Sequence, residues 1–82
     1  MAKKSIKDLR LISLGNRIRA TRQSIGLTQE GLADKSGLDR SYMGGIERGE
    51  RNISFITLCK IAQAFQKDVA FLTRGIPKND DE

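Results

Sequence analysis

The order of apolar and polar positions is helical almost throughout, and no segment alternates cleanly enough for a strand. Ile6, Leu9, Leu14, Ile18 and Ile25 fall near one face of a first helix over about residues 6–25, which Gly26 then stops. Thr28 suits the N-cap of a short second helix to about Ser36, with Leu32 and Ala33 inward and Gly37 at its end. Asp39 caps a third helix to about Arg48, whose apolar stripe is Met43 and Ile46 and which Gly49 closes. After a loop at residues 50–53, Ser54 caps a fourth helix. Its Leu58, Ile61, Ala62 and Phe65 recur at the spacing of a buried face. Asp68 opens a short fifth helix holding Val69, Phe71 and Leu72, ended by Gly75 and Pro77. The fold class read from this pattern is all-α, five helices with short connections. It forms one domain over residues 6–75, with flexible ends at 1–5 and 76–82.

Composition narrows the chemistry. With 82 residues the core is small and gains from a partner subunit. The absence of His excludes Ser-His-Asp and Cys-His nucleophiles, and with one Cys it excludes every Cys/His zinc spacing. A binder is expected, not an enzyme, with no catalytic residue, no metal and no cofactor. Cys59 alone cannot close an intrachain disulfide, which fits a reducing compartment. Lys7, Asp8 and Arg10 interrupt any apolar stretch behind Lys3 and Lys4, and no run approaches a membrane span. A cytoplasmic protein without a membrane partner is the expectation.

The net charge of +5 is uneven. Residues 1–22 hold seven basic and one acidic residue, +6; residues 23–75 hold seven and six, +1; residues 76–82 hold one and three, −2. This describes either a solvated basic helix or a general field for a polyanion.

Residues 28–49, TQEGLADKSGLDRSYMGGIERG, decide between them. Two short capped helices meet at Ser36-Gly37-Leu38, the spacing of a helix-turn-helix, and Arg40, Ser41 and Tyr42 project from the start of the second. A helical corner alone is equally a packing device. Its residues, however, resemble a family. GLTQEGLADKSGL followed by SYMGGIERGERNIS is similar to the lambda-repressor-like, or Xre, helix-turn-helix family. LDRSYMGGIERGERNIS is closer still to the controller proteins of restriction–modification systems, and the likeness covers about residues 9–75.

The resemblance implies double-stranded DNA as partner and assigns roles by position. Arg40 and Ser41 match base-reading positions, and Arg40 suits a guanine edge. Gln29 matches a glutamine on a backbone phosphate. Tyr42 matches a position at the DNA surface, with a ring half-buried against the second helix as the alternative. Arg48, Arg51 and Asn52 match the sugar-phosphate contacts, although for Arg51 a solvated loop charge is the bland alternative. Arg22 and Glu47 match an internal ion pair. Gly45 departs from the phage-type repressors, which often read bases there, and Gly44 precedes it. Either packing compensates these glycines, or the bare helix lies nearer the DNA. Direct readout should therefore be thin, with more weight on DNA shape.

One recognition helix covers too few base pairs for genomic specificity, so a homodimer on a palindromic operator is expected. In the related controllers the C-terminal helices form the interface. Phe65 and Leu72 are expected inside, Val69 and Phe71 at that interface, and no small-molecule ligand has room. The expected function is a transcriptional regulator of bacterial or phage origin, nucleoid-associated within the cytoplasm, acting as a restriction–modification controller. A phage-type repressor or antitoxin of the same fold is the neighbouring alternative. A non-DNA helical interaction module is the alternative of another class.

Overall fold

The computed structural model describes residues 8–78, which form five helices and no strand. They are α1 Leu9–Ser24, α2 Gln29–Ser36, α3 Arg40–Glu47, α4 Phe55–Ala64 and α5 Val69–Thr73. Side-chain oxygens of Thr28, Asp39, Ser54 and Asp68 accept from backbone N–H groups in the first turns of α2 to α5. Each satisfies a donor that the helix itself leaves open. Thr28 does so without a reciprocal glutamate, since Gly31 stands there, and accepts from the Gly31 N–H at 2.9 Å.

The first helix differs from its sequence reading at both ends. It begins at Leu9, capped by Asp8, and Ile25 is its C-cap. Ile6 lies outside the described residues. Leu9 is 76% exposed because it sits five residues before Leu14, about 140° round the helix. Ile25 has the phase of Ile18 but lies past the last turn, and is also exposed. The Asp8 carboxylate receives the Arg10 guanidinium as well as the Arg10 N–H. These bonds from Arg10 hold its pKa down at about 2.

Leu14 and Ile18 of α1, Leu32 and Ala33 of α2, Met43 and Ile46 of α3, Leu58, Ile61, Ala62 and Phe65 of α4 and Leu72 of α5 make one core. Leu38 is half-buried against it. Between α2 and α3, Gly37 takes φ +71° and the Leu38 N–H donates to the Ala33 carbonyl at 2.8 Å. This left-handed cap turns the chain sharply enough to stand α3 against α2.

The crossing of α1 and α3 is closer than side chains allow. A β-carbon at Gly15 would lie 2.5 Å from the Ile46 carbonyl oxygen and 2.6 Å from that of Glu47. Backbone meets backbone there, and neither carbonyl can swing aside as a side chain would. Gly→Ala inside a helix ordinarily stabilises by about 1 kcal/mol. Gly15→Ala should instead destabilise by about 1–3 kcal/mol through overpacking. Urea unfolding measures the sign, and a variant as stable as the parent would mean a wider crossing.

Candidate nucleic-acid interface

Helix α3 turns Met43, Ile46 and Glu47 into the protein. The helical period puts Ser41, Gly44, Gly45 and Arg48 on the opposite face, with Arg40 at its leading edge. Arg40, Ser41 and Arg48 are exposed. Asp39 holds the N-terminus of α3 by accepting from the Tyr42 N–H at 3.1 Å.

Glu47 fixes the attitude of this helix. Its carboxylate, 1% exposed, accepts from Arg22 Nε at 2.6 Å and Nη2 at 3.1 Å, and from Gln29 Nε2 at 2.9 Å. Arg22 Nη1 also donates to the Leu27 carbonyl at 2.8 Å, and Arg19 Nε stands 4.0 Å from the same carboxylate. One side chain of α3 is thereby tied to α1 and to the first residue of α2. The Gln29 bond was not foreseen from the sequence. A glutamine at the start of α2 and a glutamate 18 residues later carry no local signature of contact. Gln29 Nε2 commits one of its two hydrogens to Glu47 and retains the other.

Of the remaining sequence-predicted residues, Tyr42, Arg48 and Arg51 gather around α3, whereas Asn52 borders a cleft with Asp8, Arg10 and Leu11 at the start of α1. Tyr42 is half-buried against the core, and the Arg51 guanidinium stands 5.5 Å from its ring centroid. Arg48 is the C-cap of α3 and pairs with Glu50 at 3.1 Å on the surface. Arg51 and Asn52 are exposed in the loop that follows. Both glycines of α3 are covered by cations. A β-carbon at Gly44 would meet Arg48 Nη1 at 3.1 Å, and one at Gly45 would meet Arg51 Cγ at 3.0 Å.

Val69 and Phe71 do not share this face. Both are half-buried against the core, and Phe71 lies between Lys67 Nζ at 5.0 Å and the Arg74 guanidinium at 6.0 Å. The larger apolar exposure is at Phe55 and Ile56, 66% and 64% exposed at the start of α4. The sequence pattern of α4 marks only its buried stripe, Leu58, Ile61, Ala62 and Phe65, and Phe55 and Ile56 precede it.

The basic N-terminal segment is less free than its charge suggests. Lys3, Lys4 and Lys7 lie outside the described residues. Arg10 binds Asp8 and Arg22 binds Glu47. Arg17 donates to the carbonyls of Phe71 at 2.8 Å and Arg74 at 3.0 Å, capping the C-terminal end of α5. Among the described residues no cluster of His, Cys, Asp and Glu could hold a metal ion. No described helix is long and apolar enough to cross a membrane.

Truncating Glu47 would strand the Arg22 guanidinium, whose side chain is only 12% exposed, and the Gln29 amide together. Glu47→Ala should cost about 3 kcal/mol. Thermal melting should fall before any sequence preference changes, and an unchanged melting temperature would show that the carboxylate does not lock α3.

The family model described as helix-turn-helix matches residues 18–72. The control protein C.SmaI of Serratia marcescens is 43% identical over 68 residues, which span 82% of this chain and 81% of that one. The control protein C.MunI of a Mycoplasma species is 40% identical over 68 residues, 82% of this chain and 92% of that one. The crystal structure of the restriction-modification controller protein C.AhdI from Aeromonas hydrophila superposes with a TM-score of 0.78. It is 46% identical and covers 79% of this chain and 98% of its own. The chain therefore belongs to the Xre-like helix-turn-helix family of DNA-binding transcriptional regulators, with restriction–modification controllers among its relatives.

Proposed function

We propose that the protein is a restriction–modification controller that binds a palindromic operator in duplex DNA as a homodimer in the bacterial cytoplasm. The observation that carries the reading is the division of α3. One face is locked inward through Met43, Ile46 and Glu47, and the other offers Arg40 and Ser41 at an exposed, capped N-terminus. A helix held in that way enters the major groove with its first residues against base edges. Arg40 donates two hydrogen bonds to guanine O6 and N7, and Ser41 contacts the neighbouring pair. Gln29, Tyr42, Arg48, Arg51 and Asn52 hold the sugar-phosphate strands, which sets register and affinity.

The homodimer follows from how few base pairs one α3 reaches. Phe55 and Ile56 open α4 soon after Arg51 and Asn52, and among the described residues they are the one pair of large apolar chain neighbours left exposed. A twofold contact through them, extended by Val69 and Phe71, sets two α3 helices about one DNA turn apart. Phe55 is not needed by the core, so Phe55→Asp should leave the helical circular dichroism intact and shift sedimentation equilibrium towards monomer. A persistent dimer would remove Phe55 from the interface.

Binding itself is measured on specific and random duplexes as a function of salt. With about six phosphate contacts per dimer, log K should fall with a slope near −5 against log salt. Arg40→Ala should lose about 1–3 kcal/mol of specific over random affinity per half-site, whereas Arg51→Ala should weaken all sequences alike. Equal losses on both DNAs for Arg40→Ala would overturn the division of roles. No binding at low salt would overturn the function.

A further inference from the structure

Gly45 lies on the face of α3 that turns away from the core, yet it is buried. Its nearest side-chain cover is Arg51. A β-carbon built on Gly45 would stand 3.0 Å from Arg51 Cγ, 3.2 Å from Nε and 3.6 Å from Cδ, and these are its three nearest neighbours. Consecutive atoms of the Arg51 side chain thus pack against the bare Cα, and a β-carbon there would make the arginine give way by a few tenths of an ångström. The guanidinium at the end of that stem reaches the Tyr42 ring, 5.5 Å from its centroid.

We infer that Gly45 is a positioning residue for Arg51, and that its missing β-carbon lets the arginine lie across the outward face of α3 against Tyr42. The inference rests on the DNA-binding reading for its purpose, though not for its geometry. A loop arginine left in solvent samples many rotamers and loses that freedom on meeting a phosphate. Seated on a bare helix face with an aromatic ring behind it, Arg51 meets the strand with its stem already placed. This also selects between the two explanations of the glycine pair. Gly45 serves a side chain of the same protein and does not serve an approach of the helix backbone to DNA. Gly44 differs in kind. Its nearest neighbours are the tip of Arg48 at 3.1 Å and Gln29 Oε1 at 3.5 Å, ends that move aside at little cost. A glycine within a helix is unfavourable by about 1 kcal/mol relative to alanine, and Gly45 has no positive φ that would require one.

The test is a double-mutant cycle between Gly45→Ala and Arg51→Ala on random duplex DNA. Gly45→Ala should keep or raise the melting temperature. It should weaken binding roughly as much as Arg51→Ala, about tenfold, and lower the salt slope by about 1. In the Arg51→Ala background it should change neither. Full affinity in Gly45→Ala overturns the inference. So does a loss that persists undiminished in the Arg51→Ala background, since the helix backbone would then be the contact. A readout free of DNA separates this from failure of the binding reading. In the free protein, the Arg51 Hδ resonances should be shifted upfield by the Tyr42 ring in the parent but not in Gly45→Ala. An unchanged shift in Gly45→Ala overturns the seating whether or not any DNA binds.

Discussion

The orientation of α3 depends on one buried carboxylate. Glu47 draws the Arg22 guanidinium from α1 and the Gln29 amide from α2, so three helices converge on two oxygens. A carboxylate at that depth is costly without partners, and well-placed apolar residues of similar volume can be equally stable. What hydrogen bonds add over apolar contact is direction. Apolar burial of Met43 and Ile46 draws α3 onto the core but tolerates rotation, whereas a bidentate guanidinium fixes both angle and depth. The crossing at Gly15 fits this constraint. Where backbone carbonyls of α3 press on α1, no side chain is available to absorb an error in angle.

The same constraint sorts the arginines. Arg22 and Arg17 are both held inside the protein, one on a carboxylate and one on the carbonyls that end α5. Arg17 keeps its charge, because carbonyl dipoles direct a cation without neutralising it, so it still contributes to the long-range field. It is fixed in place, however, and its position secures α5 to α1. Arg40, Arg48 and Arg51, from α3 and its following loop, remain exposed, as do Arg10 and Arg19 on α1 and Arg74 after α5. Of the four described cations in the N-terminal basic segment, two therefore supply architecture and a third, Arg10, is paired with Asp8 beside it. The nearly neutral middle of the chain supplies the contacts proposed for DNA.

Much of this was legible in the chain because it is local. The caps Thr28, Asp39, Ser54 and Asp68 each act within three residues, and the buried stripe of α4 repeats with the helical period. Misreadings arose where periodicity was extended past a helix end. Ile25 has the phase of the buried face but follows the last turn of α1, whereas Leu9 lies within α1 and is simply out of phase, about 140° from Leu14. The end of α4 carried no glycine to announce it. Gln66 takes φ +59° and the Lys67 N–H still donates to the Ala62 carbonyl, the same turn that Gly26, Gly37 and Gly49 make elsewhere. The Arg22–Glu47 pair came from resemblance and not from the residues alone. The partners Gln29 and Arg17 were not found by either route. Their bonds join residues 18 or more apart, and no helical spacing encodes such a distance.

Helix α3 itself shows why local rules are insufficient at the proposed site. Eight residues with two adjacent glycines form a poor helix in isolation, short of the length at which helices persist in water and weakened by about 2 kcal/mol in propensity. Its order comes from outside: the Asp39 cap, burial of Met43 and Ile46, and the three-way bond of Glu47. A helix maintained by its inward face has no need of large residues on its outward face. The outward positions are thereby released from any structural duty, and glycine is tolerated where its lack of a side chain is useful. The carboxylate inside and the bare surface outside are consequently two sides of one arrangement, since the first supplies the order that the second gives up.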